Sequence, residues 1–160
     1  MKTKKLLACA AICAALSIAT TTASAQTYTK QQLQETYTAF LATEGYKPDL
    51  TNGGNVRFRR EGRTYAIMVD ERDPTYFSLV LSFSVDDKSA SARQKRLEAV
   101  NEATANTKVV KAYLDSDGDP IFSAELFLVV PGDFKTTLTR VLRGIDSAYE
   151  KYNKKLAALN

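Results

Sequence analysis

Residues 46–85 alternate apolar and polar side chains with a period of two, which is the repeat of a β-strand that buries one face. The clearest stretch places five apolar side chains on one side: Phe77, Leu79, Leu81, Phe83 and Val85. Turn residues interrupt the region at positions 51–54, 61–62 and 73–74. The pattern therefore predicts a β-meander that packs against other elements on one side only.

Two helices are predicted beside this meander. Thr29 and Gln32 form a capping box that begins the first helix, and Gly45 is its expected left-handed stop. Ser89 and Ser91 are N-cap candidates for the second helix, which is predicted to end near residue 106. The apolar stripe expected for this second helix is thin: Leu97, Val100 and Thr104.

The last part of the chain predicts two strands and a third helix. The strands, residues 108–114 and 120–130, are joined by an Asp-rich turn at 115–119. The helix begins near residues 131–133 and is the most strongly amphipathic of the three. Its apolar face comprises Phe134, Leu138, Val141, Leu142, Ile145, Tyr149 and Tyr152. The predicted order is α-β-β-β-β-α-β-β-α, an α+β fold with an antiparallel sheet of about five to six strands packed by helices.

Residues 1–25 have the composition of an export signal. Three lysines lie within the first five positions, residues 6–19 are largely apolar, and small residues end at Ala25. Cleavage after Ala25 would make Gln26 the first residue of the mature protein. The prediction is therefore a signal peptide at 1–25, a single domain at 26–160, and a protein that is periplasmic or secreted.

The charge balance argues against a nucleic-acid partner. The chain has 22 Lys and Arg against 18 Asp and Glu, but three of the basic residues belong to the predicted signal. The mature part keeps 19 basic against 18 acidic residues, a net charge of +1, which gives no basic surface for an anionic polymer. No apolar run after Ala25 approaches the 18 residues typical of a membrane span.

The chain contains no His, and both cysteines, Cys9 and Cys13, lie inside the predicted signal. The mature part therefore lacks the usual general base, the usual thiolate nucleophile and the commonest metal ligands. We expect no cofactor, no metal site and no catalytic residues. Carboxylate-dependent hydrolysis stays open through Asp115, Asp117 and Asp119, although aspartates in a tight turn more often bond nearby backbone amides.

Four arginines surround one predicted hairpin: Arg57, Arg59, Arg60 and Arg63. Arg57 and Arg59 project from the same face of a strand, where two guanidinium groups can hold a carboxylate or phosphate group. The alternative is a charged strand that is protected from edge pairing. Arg57, Arg59 and Arg63 are the candidate residues for binding a partner or an anion.

Small side chains line one side of the third predicted helix at Thr137, Gly144 and Ala148. A glycine inside a helix costs about 1 kcal/mol relative to alanine, so the close approach of another element is a reasonable explanation. The strip is a candidate contact surface, either within the domain or with a second subunit.

Two stretches, residues 58–67 and 69–77, resemble the first half of YbjN-like domains, and residues 100–104 with the strands that follow resemble the second half. Members commonly carry Asn where this chain has Thr104. The resemblance implies the architecture of type III secretion chaperones, in which the first and last helices cover an antiparallel sheet and the middle helix lies near an edge. Proteins of that shape tend to dimerise and to bind polypeptide segments.

These observations favour an exported, non-enzymatic module that binds a protein or peptide segment, with a chaperone-like or regulatory role and a dimeric state. The alternative is a sensor or binding protein for a small anionic ligand at the hairpin arginines. A carboxylate-dependent hydrolase is the remote alternative.

Overall fold

The computed structural model describes residues 27–159, and the predicted signal with its cleavage site at Ala25 and Gln26 lies outside the described residues. The order of elements confirms the prediction. The elements are α1 (Lys30–Thr43), β1 (Asp49–Leu50), β2 (Val56–Arg60), β3 (Arg63–Met68), β4 (Tyr76–Ser82), α2 (Ala90–Ala105), β5 (Val110–Leu114), β6 (Pro120–Phe127) and α3 (Phe134–Ala158). A short 3-10 turn, Pro131–Asp133, precedes α3.

The six strands form one antiparallel sheet in the order β1-β2-β3-β4-β6-β5. The two-residue hairpin turn between β2 and β3 fixes the register of the first half, because Glu61 and Gly62 both adopt positive φ, at 49° and 76°. β6 returns to pair with β4, which leaves β5 as an edge strand.

The capping box of α1 is present as predicted. The backbone amide of Gln32 donates to the Thr29 hydroxyl, and the backbone amide of Thr29 donates to the Gln32 side chain at 2.9 Å. The buried face of the helix consists of Leu33, Tyr37 and Leu41, which are four residues apart. Local sequence thus determines both the start and the orientation of α1.

The predicted buried face of α2 is wrong. Its buried residues are Arg96, Ala99, Val100 and Ala103, whereas Leu97 is only half-buried and Thr104 is exposed. The alanines lie inside because their small side chains let α2 pack closely against α3 and β5. Only Val100 of the predicted stripe belongs to the core.

The core occupies one face of the sheet, where alternate residues of each long strand are buried. α1 and α3 cover this face, and α2 packs against α3 and β5. The strands are shorter than predicted, because β4 ends at Ser82 and β6 at Phe127. Although α3 has 25 residues, no helix among residues 27–159 has the length and apolar character needed to cross a bilayer.

Candidate functional site

A groove of about 470 Å³ lies between α3 and the edge strand β5, and we term it the α3–β5 groove. It is lined by residues of α3, of the two neighbouring strands and of the loop that links α2 to β5. These are Asn106, Thr107, Lys108, Val109, Val110, Ala124, Leu126, Thr137, Arg140, Val141, Gly144, Ser147 and Lys151. The volume lies within the range of small-molecule and side-chain binding sites in proteins.

The floor of the groove is apolar and is open because of Gly144. A Cβ atom at this position would lie 3.2 Å from Val110 Cγ2, which is tighter than ordinary van der Waals contact. Ala124 on β6 adds a second small side chain. Two small residues in adjacent elements therefore keep the helix close to β5 without filling the space beside Val110.

The rim of the groove carries three cations: Lys108, Arg140 and Lys151. Lys151 Nζ donates to the Ser147 hydroxyl at 2.8 Å. Lys108 and Arg140 form no ion pair or hydrogen bond through their side chains within residues 27–159. No carboxylate lines the groove, so the rim presents unneutralised positive charge above an apolar floor.

Val109, on the same rim, adopts a strained backbone conformation. Its φ is 66°, in the left-handed region where a β-branched residue is a genuine outlier, and its side chain is 62% exposed. Such a conformation costs about 1–3 kcal/mol, and strained residues concentrate at functional sites. This strained residue borders the groove.

Thr104 covers part of the outer edge of β5. Its hydroxyl accepts from the Ala112 amide at 2.8 Å and donates to the Ala112 carbonyl at 2.9 Å. Because outward and inward backbone groups alternate along an antiparallel edge strand, Val110 also directs its backbone groups to the outer edge. The backbone groups of Ala112 on the outer edge of β5 are thus hydrogen-bonded by Thr104. Val110, the next residue that faces outward, borders the groove.

The hairpin arginines do not converge on one site. Arg57 and Arg59 are exposed on the same face of β2, but Arg57 Nε donates to Asp49 Oδ1 at 3.0 Å and its Nη2 bonds the other oxygen of that carboxylate. The hydrogen bond from Arg57 holds the pKa of Asp49 below its usual value. Arg59 has no side-chain partner in the described part of the chain. The fork of Arg57 is therefore already engaged by a carboxylate of the same chain.

Arg63 belongs to a second cluster that sequence reasoning missed. Asp146 of α3 accepts from Arg60 Nη1 at 2.5 Å, from Arg63 Nη2 at 3.1 Å and from the Tyr65 hydroxyl at 2.5 Å. The Arg63 guanidinium also lies 5.2 Å from the centre of the Tyr149 ring. These contacts tie the β2–β3 hairpin to α3 and leave Arg63 engaged within the domain.

The Asp-rich turn is held by its own backbone. The Asp115 carboxylate accepts from the amides of Asp117 and Asp119 at 3.0 and 2.8 Å, and Asp119 accepts from the Val85 amide and pairs with Lys88. Among residues 27–159, no group of three or more His, Cys, Asp and Glu is arranged to hold a metal ion.

The predicted helix strip divides between two environments. Thr137 and Gly144 line the α3–β5 groove, while Ala148 is fully buried in the core. The groove itself was missed, because its other wall comes from the α2–β5 loop and β6. Thr137 and Gly144 were the residues of the predicted strip that pointed to it.

Comparisons with known proteins give a family and two structural neighbours. The profile of the YbjN family, described as "Putative bacterial sensory transduction regulator", matches residues 34–153. The crystal structure of an uncharacterized protein from Methanothermobacter thermautotrophicus is similar, with a TM-score of 0.53 and 14% identity over 79% of this chain and 96% of that chain. The Yersinia pestis type III secretion chaperone SycH, in complex with a stable fragment of YscM2, has a TM-score of 0.45 and 16% identity over 76% and 98% of the two chains. No curated protein matches the chain.

Proposed function

The chain belongs to the YbjN family, and from this premise we propose that it is a non-enzymatic regulatory module that binds a segment of another polypeptide in the α3–β5 groove. The observation that carries the proposal is the combination of an apolar floor with a cationic rim. In this proposal the protein acts after export, in the periplasm or outside the cell, because residues 1–25 have the composition of a signal peptide.

The groove favours an extended segment that carries both apolar and acidic side chains. One or two apolar side chains would fill the space above Val110 and Gly144, and Asp or Glu residues beside them would face Lys108 and Arg140. The outer edge at Val110 is suited to backbone pairing with such a segment, which is a common mode of peptide recognition. The strained loop at Val109 supports the assignment, since strain is retained where function requires it.

The groove suits binding better than bond-making. Its lining offers Lys, Arg, Ser, Thr and Asn side chains but no carboxylate, imidazole or thiol. Imidazole and carboxylate groups are the commonest general acids and bases, and the groove contains neither. The Asp-rich turn, the remaining catalytic candidate, contributes no residue to the groove.

Reversal of two rim charges is expected to weaken the binding of the partner segment. A photo-crosslinking amino acid at position 109 should first capture, in cells, a segment in which Asp or Glu flanks apolar residues. A synthetic peptide of that segment should then bind the Lys108→Glu/Arg140→Glu variant about 10- to 100-fold more weakly than the wild type, since each lost charge pair is worth about 1 kcal/mol. Fluorescence anisotropy at two salt concentrations measures this difference.

Arg143→Glu is the matched control, because Arg143 is exposed on the same helix but does not line the groove. It should leave the affinity within about twofold of the wild type. Capture of a basic segment, or an equal loss of affinity in Arg143→Glu, would contradict the proposed groove.

A homodimer completes the proposal, and the end of β6 is the surface we assign to it. Phe127 and Val129 are 81% and 88% exposed, and the Phe127 ring packs against Tyr76 at 5.7 Å. Exposed apolar clusters of this kind mark contact sites.

Sedimentation equilibrium should give a dimer for the wild type and a monomer for Phe127→Asp/Val129→Asp. Leu50→Asp, in the edge strand β1 at the far side of the sheet from β6, should stay dimeric, and a wild-type monomer at all concentrations would exclude this surface.

A further inference from the structure

Arg96 of α2 is a charged side chain that is buried without a full set of partners. Only 4% of its surface is exposed. Its Nε donates to the Gly118 carbonyl at 3.2 Å, but its Nη2 atom is buried and has no hydrogen-bond partner. A buried guanidinium normally has its charge paired, because the loss of hydration costs several kcal/mol.

Tyr152 of α3 also buries a polar atom that has no hydrogen-bond partner. Its side chain is 1% exposed, and its hydroxyl is buried with no hydrogen-bond partner. Burial raises the pKa of Tyr152, although Arg96 opposes the shift, so the phenol is a neutral donor at pH 7. Arg96 and Tyr152 both line a cavity of about 330 Å³ between the start of α2 and the end of α3.

Asp87 is the only carboxylate that lines the cavity, which Ser89 and Ser91 also border. Asp87 is exposed, and its Oδ1 already accepts from the Ser89 amide at 2.9 Å. That hydrogen bond is the main reason why the pKa of Asp87 lies below its usual value, and the nearby charges of Arg96 and Lys95 lower it further. Asp87 thus acts on Arg96 through its charge but forms no hydrogen bond with Nη2. An acceptor is therefore missing where Arg96 Nη2 and the Tyr152 hydroxyl are buried.

We propose that this cavity binds a small oxyanion, a free carboxylate or phosphate, whose oxygen atoms accept from Arg96 Nη2 and the Tyr152 hydroxyl. The geometry assigns the anion to Arg96 because this residue is buried and its Nη2 has no hydrogen-bond partner, whereas the exposed Arg57 is bonded by Asp49. The site is separate from the α3–β5 groove, with which it shares no lining residue. It gives a regulatory protein a place to sense a small acidic solute.

Thermal unfolding of the full chain tests the site. Acetate, succinate and inorganic phosphate are titrated against sodium chloride at matched ionic strength. At a tenfold excess over the dissociation constant, the best of the three should raise the melting temperature by about 3–5 °C. The anion that gives the largest rise identifies the class, a monocarboxylate, a dicarboxylate or a phosphate.

Tyr152→Phe should abolish this rise, and Tyr149→Phe, one turn away on the same helix, should retain it. Arg96→Gln should also abolish it, while Arg59→Gln, which removes an exposed arginine of the β2–β3 hairpin, should retain it. Tyr152→Phe keeps the test valid even if Arg96→Gln fails to fold.

A second readout separates an anion from a bridging water. In chloride buffer without the oxyanion, Tyr152→Phe should melt at the same temperature as the wild type or higher, because its hydroxyl has no partner to lose. A lower melting temperature in that buffer would indicate that a water already satisfies the hydroxyl, and would overturn the proposal. The absence of any anion-dependent rise, or its loss in Arg59→Gln, would overturn it as well.

Discussion

Replacement of Phe134 by Ala is expected to lower the free energy of unfolding by about 3–5 kcal/mol, the usual loss for a fully buried phenylalanine. Phe134 is 0% exposed at the start of α3. Its ring lies 4.8 Å from that of Tyr37, 5.2 Å from that of Phe40 and 5.7 Å from that of Phe77. One side chain therefore joins α1, α3 and β4, and the alanine variant leaves a cavity where all three meet.

Urea unfolding followed by circular dichroism measures this loss. A domain of this size has a total stability of roughly 5–15 kcal/mol, so the variant should unfold at a much lower denaturant concentration. Phe134→Leu is the graded control, because it keeps most of the apolar volume and should lose about 1–2 kcal/mol. A loss below about 1 kcal/mol for Phe134→Ala would show that α1 does not depend on this aromatic contact.

The elements that could be predicted from the sequence are those that local interactions determine. The capping box at Thr29 and Gln32 begins α1 through contacts three residues apart. The hairpin turn at Glu61 and Gly62 joins two strands that pair with each other directly. Because each signal acts over a few residues, it is visible in the chain, and the order of elements followed from such signals.

The packing of α2 could not be predicted, because it depends on distant partners. The faces of this helix differ little in hydrophobicity, and alanine gives little indication of which face is buried. Arg96 carries a charge and yet is buried, because α3 and the turn at Gly118 cover it. Thr104 belongs to the predicted apolar stripe, yet its hydroxyl bonds the edge of β5 at Ala112.

The candidate groove was missed for the same reason, since its walls come from parts of the chain that only the fold brings together. The second missed cluster did leave a signal. The period of two in β2 places Arg60 on the same side as the buried Val56 and Phe58, and Arg63 on the same side as Tyr65. A charged residue at an inward position predicts a buried partner of opposite charge, and that partner is Asp146.

Replacement of Asp146 by Asn should accordingly destabilise the fold by about 2–4 kcal/mol, because Arg60 and Arg63 then lose their buried counter-charge and keep only the exposed Glu61 carboxylate as a partner. The side chains of Asp146, Arg60 and Arg63 are only 15%, 22% and 27% exposed. Burial, followed by the hydrogen bond to Asp146, raises the pKa of Tyr65, so its hydroxyl is protonated and donates to the carboxylate. The amide of Asn keeps the shape but removes the charge that two guanidinium groups share.

Asp49→Asn is the matched control, because Asp49 also receives two hydrogen bonds from one arginine but lies on the surface, where such pairs contribute about 1 kcal/mol or less. Chemical denaturation of both variants separates the effect of burial from that of pairing. A double-mutant cycle of Asp146→Asn with Tyr65→Phe should give a coupling energy above about 0.5 kcal/mol, because the two groups bond directly. Equal losses in the two Asp→Asn variants would mean that the Asp146 cluster is no stronger than a surface ion pair, and that the β2–β3 hairpin is held to α3 by its apolar contacts alone.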